Sequence, residues 1–146
     1  KRQIKGTGPL ENYLRSLANK LNVSKHVHFV GLVSHHEVAQ LLSAADIYVS
    51  TCFIDSTSVS LLEAMACELA PIVTDISGNR EWIKNGVNGF LFPPQNSKAL
   101  AEKVSQLIED SGLRKSFGEK CFEKVKKYAT WENCVSKMDA IYQSLM

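Results

Sequence analysis

Residues 46–74 decide the fold. Asp46-Ile47-Tyr48-Val49-Ser50 reads as a short buried strand, and Thr51-Cys52-Phe53-Ile54-Asp55-Ser56-Thr57-Ser58 as the loop that follows it. Leu61, Leu62, Met65 and Ala66 then recur at helical spacing, and Pro71-Ile72-Val73-Thr74 is a second β-rich run. A strand, a helix and a strand follow one another without a hairpin turn. The strands are nearly continuous in apolar residues rather than alternating, which predicts parallel strands buried on both faces.

The same alternation extends in both directions. Upstream, Leu10, Leu14, Leu17, Ala18 and Leu21 predict a helix with Pro9 in its first turn. Val27-His28-Phe29-Val30 predicts a strand stopped by Gly31. Ser34-His35-His36-Glu37 has the spacing of a capping box and opens a helix carrying Val38, Leu41, Leu42 and Ala45. Downstream, a short helix includes Glu81, Trp82 and Ile83. Asn85-Gly86 and Asn88-Gly89 signal turns, and Phe90-Leu91-Phe92 is a last strand before Pro93-Pro94. Three helices close the chain: 97–109, about 113–128, and one capped by Thr130 with the stripe Trp131, Cys134, Val135, Met138, Ile141, Tyr142 and Leu145. The expectation is one α/β domain over residues 1–146, a doubly wound parallel sheet with C-terminal helices. In such sheets ligands bind beyond the carboxyl ends of the strands, so the loops at 6–9, 31–34, 51–58 and 75–81 are the ones that matter.

Composition removes several functions. The chain has 146 residues, 45% apolar and 22% charged, in the range of ordinary globular domains. No apolar run approaches the roughly 20 residues of a membrane-spanning helix. Seventeen basic against fifteen acidic residues give a net charge of +2, without the clustered basic face that nucleic acid selects. The densest basic stretch, Arg114 to Lys127, is interrupted by Glu119 and Glu123 and reads as a solvated helix face. Cys52, Cys67, Cys121 and Cys134 are far apart, with no paired spacing for zinc, and read as reduced thiols. His26/His28 and His35/His36 match no metal-binding helix.

The chemistry concentrates between Asp55 and Glu63, two carboxylates separated by seven residues. Small residues at 56, 57, 58 and 60 leave the first N–H groups of the helix open, and a helix start suits phosphate. A carboxylate inside the helix can grip a diol such as ribose. On spacing alone, Asp55 as a helix cap and Glu63 as a surface helix residue is the simpler reading. Gly6-Thr7-Gly8 lacks the third glycine of a dinucleotide loop and reads as a strand-to-helix turn.

Several blocks together carry a resemblance. Gly6-Thr7-Gly8-Pro9, Val27-His28-Phe29-Val30-Gly31, Ala44-Ala45-Asp46-Ile47-Tyr48-Val49, Asp55 through Leu62-Glu63-Ala64-Met65-Ala66, Gly78-Asn79-Arg80-Glu81 and Asn85-Gly86-Val87-Asn88-Gly89-Phe90-Leu91 occur in order. In this order they resemble the C-terminal, donor-binding domain of the GT-B family 4 retaining glycosyltransferases. The resemblance implies a nucleoside diphosphate sugar as donor substrate, with no cofactor and, for want of a D-x-D motif, no metal. It places Glu63 on the ribose hydroxyls and Asp55 at the donor sugar as the catalytic carboxylate. The N–H groups of Thr57 and Ser58 fall at the sugar, those of Val59 and Ser60 at the diphosphate, and Leu32 and Val33 beside the base. It further implies a cytoplasmic enzyme whose full-length form has an N-terminal acceptor domain and peripheral membrane contact. Trp131 corresponds to an aromatic that packs in the core or between domains.

The sequence departs from that pattern in three places. Asp55 stands where the family usually has Glu, drawing the carboxylate about 1.5 Å toward the backbone. Glu68 replaces the usual Gly after the helix, and Ala70-Pro71 has its proline one position late. The Arg and Lys that neutralise the diphosphate in this family are not identifiable before Gly6. Together with the absence of an initiator Met, this leads to the expectation of a fragment lacking the domain's first strand–helix unit and the N-terminal domain. The transferase reading has two competitors: a non-catalytic nucleotide-sugar-binding module and a nucleotide-sugar epimerase of the same architecture.

Overall fold

A computed structural model of the chain describes residues 2–5 and 7–145. The chain forms two compact units, Lys1–Gln40 and Leu41–Met146. The first unit holds β1 (Arg2–Lys5), α1 (Glu11–Lys20), a 3-10 turn (Ser24–His26) and β2 (Val27–Gly31). α2 (His35–Ser43) runs across the division. The second unit holds β3 (Ile47–Ser50), α3 (Val59–Ala66), β4 (Ala70–Thr74), α4 (Ser77–Trp82), β5 (Phe90–Phe92), α5 (Ser97–Glu109), α6 (Ser111–Tyr128) and α7 (Trp131–Ser144).

Among the described residues every strand pairing is parallel. β1 pairs with β2 in the first unit, and β3, β4 and β5 lie side by side in that order in the second. β1 supplies the strand that the 6–9 loop requires, although four residues with two basic side chains carry no apolar pattern. Gly6 itself lies outside the described residues. Pro9 stands two residues ahead of α1 rather than in its first turn, in a bend closed by Glu11 N–H onto the Gly8 carbonyl (3.1 Å). The Ser34–Glu37 capping box forms as predicted. Ser34 N–H and hydroxyl both donate to Glu37 Oε2 (2.8 and 2.7 Å), and Glu37 N–H donates back to Ser34 Oγ (3.3 Å). Those bonds hold the Glu37 carboxyl below its ordinary range. His28 lies exposed on β2, whereas His26 belongs to the 3-10 turn before it.

In the second unit the sheet is covered on both faces, for the reason the sequence gives. All five residues of β4 are buried. Val73 points to one side with Leu61, Met65, Trp82, Ile83 and Cys121. Ala70 and Ile72 point to the other with Phe90, Phe92, Leu107 and Phe117. The Phe90 and Phe117 rings meet edge to face, 5.1 Å apart at 78°. Cys121 Sγ donates to the Asn88 carbonyl (2.9 Å), so the Asn88-Gly89 turn is bolted to α6. Lys124 on the next turn donates to the Glu81 and Trp82 carbonyls (2.5 and 3.0 Å), closing the end of α4. Most of the basic stretch is a solvated face, as predicted; Arg114 and Lys124 are the exceptions, spent on carbonyls at helix ends.

α3 ends in a left-handed residue without a glycine. Glu68 has φ 58°. Its N–H bonds to the Met65 carbonyl (3.2 Å) and Leu69 N–H to the Ala64 carbonyl (3.1 Å), the paired bonds of a Schellman turn. Glu68 thus accepts the conformation that Gly adopts freely, at a cost of about 1 kcal/mol. The stripe on α7 is present, but Trp131 is 81% and Leu145 78% exposed. That face is therefore no part of the core in this chain.

Candidate functional site

The loops after β3 and β4 leave the same end of the parallel sheet and are tied together. The Thr74 hydroxyl, at the last position of β4, donates to the Cys52 carbonyl at the start of the 51–58 loop. Asn79, buried in α4, donates from Nδ2 to the Thr74 carbonyl (2.8 Å). Gly78 lies against the backbone at Asp55 and Ser56. A Cβ added there would sit inside contact distance of both carbonyl oxygens, so only glycine permits the approach. Arg80 Nε donates to Asp75 Oδ1 (2.6 Å), bracing the short link from β4 to α4. This hydrogen bond holds the Asp75 carboxyl below its ordinary value.

This scaffold presents the 55–63 segment. Ser58, not Asp55, is the N-cap of α3: its side chain accepts from Leu61 N–H (3.3 Å). The capping alternative for Asp55 is therefore excluded; Asp55 is half-buried, three residues before the cap. With Leu61 N–H engaged, the N–H groups of Val59 and Ser60 are the donors of the first turn with no acceptor inside the helix. Val59 is 67% exposed, and Ser60 is exposed as well. Glu63 is half-buried on the next turn, on the same face as Ser60 three residues earlier. Asp55, Thr57, Ser58, Val59, Ser60 and Glu63 thus form one loop–helix segment with a positive dipole end between two carboxylates. Leu32 and Val33 stand just beyond β2 in the first unit, where Gly31 turns the chain at φ 68°; Leu32 is 82% exposed.

Two features of the site were not legible as site features. Phe53 and Ile54, immediately before Asp55, are 56% and 95% exposed, an apolar rim on a loop the sequence marks only as a loop. Tyr48 OH lies 2.7 Å from Ser60 Oγ, which lies 3.1 Å from Ser58 Oγ. The strand period does place Tyr48 on the face that α3 covers, but not within reach of a particular serine. Among the described residues no group of three or more His, Cys, Asp or Glu side chains is placed to hold a metal ion. No helix among them is long and apolar enough to cross a membrane.

Comparison with known proteins assigns the class. Residues 2–124 match the family described as Glycosyl transferases group 1, and the chain belongs to that family. It is 33% identical over 141 residues to EpsD of Bacillus subtilis (strain 168), covering 97% of this chain and 36% of that protein. Among solved structures, sucrose-phosphate synthase from Thermosynechococcus elongatus superposes with a TM-score of 0.89 at 25% identity, over 98% of this chain and 38% of that one. HepE from Anabaena in complex with UDP-glucose superposes with a TM-score of 0.83 at 23% identity, over 98% and 40%. These neighbours establish a mixed α/β, GT-B-type fold with a parallel sheet. The chain spans well under half the length of each of these proteins.

Proposed function

We propose that this chain is the donor-binding half of a retaining, metal-independent glycosyltransferase that moves a sugar from a nucleoside diphosphate sugar to a hydroxyl acceptor. The observation that carries the reading is the start of α3: two unengaged N–H donors at a dipole end, flanked by Asp55 and Glu63, at the carboxyl end of a parallel sheet. Glu63 holds the ribose hydroxyls. The Val59 and Ser60 N–H groups hold the diphosphate, and those of Thr57 and Ser58, with Asp55, hold the sugar. Leu32 and Val33 border the base. The UDP-glucose bound by HepE supports a nucleotide sugar as the ligand class.

The chemical demand is charge stabilisation. As the glycosidic bond breaks, negative charge grows on the leaving diphosphate, and donors already fixed toward it lower the barrier without reorganising. The Ser58 cap and the loop tethers hold those donors in place before the ligand arrives. Asp55 stabilises the cationic sugar ring on the other side of the breaking bond. The uncovered α7 stripe supports an N-terminal acceptor domain of the same chain as partner.

The second reading, a non-catalytic nucleotide-sugar-binding module, is favoured by one observation: Asp55 carries its carboxylate one methylene short of the usual Glu. A panel of nucleotide sugars and hydroxyl acceptors offered to the full-length protein separates the two. Transfer with retained anomeric configuration, abolished by Asp55→Ala, supports the transferase. Donor binding without transfer or hydrolysis supports the module.

A further inference from the structure

We propose that Tyr48 is a positioning residue of the donor site, ordering the Ser58 and Ser60 hydroxyls so that Ser60 Oγ–H points outward as a side-chain donor to the diphosphate. The proposal rests on the reading of the α3 start as the diphosphate site, and assigns a side-chain role where that reading uses backbone alone.

Three hydroxyls form a line. Tyr48 OH is 2.7 Å from Ser60 Oγ, Ser60 Oγ is 3.1 Å from Ser58 Oγ, and Ser58 Oγ accepts from Leu61 N–H. Each hydroxyl carries one hydrogen and two lone pairs. Two contacts consume two of the three hydrogens, so one is surplus, and burial decides where it lies. A phenol is a stronger donor than an aliphatic alcohol, so Tyr48 donates to Ser60. If Ser60 then donated to Ser58, the surplus hydrogen would be stranded on Ser58, which is 9% exposed, and a buried donor would go unpaired. If Ser58 donates to Ser60, the surplus lies on Ser60, which is exposed. The second arrangement wins. Ser60 then accepts two hydrogen bonds and donates one outward, and the two it accepts polarise its own O–H. That hydrogen emerges beside the unengaged Val59 and Ser60 N–H groups, where an anion meets three donors.

Tyr48 reaches this position because β3 places it on the same sheet face as Val73, the face α3 covers. Neither Tyr48 nor the Ser60 side chain is needed for the fold of the cap, since Leu61 N–H is held by Ser58 alone.

The test uses the full-length protein and calorimetric titration with UDP, GDP and ADP, each paired with its nucleoside. Ser60→Ala is expected to weaken the tightest diphosphate about tenfold, and Tyr48→Phe about three- to tenfold. The double variant is expected to be no weaker than Ser60→Ala, because both act through one hydrogen bond. Ser60→Thr restores affinity, and binding of the matching nucleoside is unmoved throughout. Undiminished diphosphate affinity in Tyr48→Phe, additive losses, or equal losses for the nucleoside would each overturn the proposal. Glu63→Ala separates the levels. If it weakens the diphosphate while Tyr48→Phe does not, the site stands and the hydroxyl line fails; if none of the three diphosphates binds the parent, both fall.

Discussion

Gly78→Ala is the most informative perturbation of the scaffold. In an unobstructed helix this change gains up to about 1 kcal/mol of helix propensity. Here the new methyl meets the carbonyl oxygens of Asp55 and Ser56, both of which must retreat to reach the 3.0 Å that real Cβ atoms respect. Overpacking of this kind costs about 1–3 kcal/mol, which offsets the propensity gain and leaves a net loss of up to about 2 kcal/mol. The cost has two possible destinations. If the loop holds, stability falls by that amount. If the loop yields, the Asp55 backbone moves and turnover falls at least about tenfold, since sub-ångström misplacement of a reacting group is that costly. Urea unfolding and donor turnover of the full-length protein measure both. Gly8→Ala is the control, because a Cβ there meets nothing within 4 Å. Gly78→Ala with both stability and turnover unchanged would refute the claim that this contact sets the carboxylate loop.

Three further outcomes follow from other parts of the structure. Glu68→Gly relieves the left-handed residue after α3 and is expected to raise stability by about 1 kcal/mol in the same unfolding assay. Thr74→Val removes the donor to the Cys52 carbonyl and is expected to cost about 1 kcal/mol and to speed amide exchange in the 51–58 loop. Burial pushes the Cys121 thiol up to about 12 from an ordinary 9.0. The native state therefore favours the protonated thiol. Its contribution is whole below pH 9 and is lost as pH rises toward 12, by at most about 1.4 kcal/mol per unit. Cys121→Ser is expected to flatten that alkaline decline, and in native protein at pH 8 a thiol reagent should modify the exposed Cys52 and Cys134 while sparing Cys121.

What could be read from the residues divides along physical lines. Apolar periodicity is local, so α5 emerges with its bounds intact and β3, α3 and β4 to within a residue or two. β1 escapes because four residues, two of them basic, hold no period. Capping is also local, and the Ser34–Glu37 box and the Thr130 cap form as their spacing requires. The Ser58 cap was harder, because Asp55, Ser56, Thr57 and Ser58 are all competent caps and only the backbone path chooses among them. The ties that build the site are long-range: Thr74 to Cys52, and Gly78 to Asp55 and Ser56. A glycine at 78 reveals that something comes close, not what. The α7 stripe shows the opposite limit. Periodicity predicts an apolar face, but not whether these 146 residues contain what covers it.

Whether Glu63 and the start of α3 form one nucleotide site is read by titrating full-length protein with a ribonucleoside diphosphate and its 2′-deoxy analogue. The parent should bind the ribonucleotide at least about tenfold more tightly, the worth of a hydroxyl bonded to a carboxylate. In Glu63→Ala that preference should collapse while the deoxy analogue binds as before. Sub-micromolar binding with the same sugar preference in parent and Glu63→Ala would rule out Glu63 as the ribose contact.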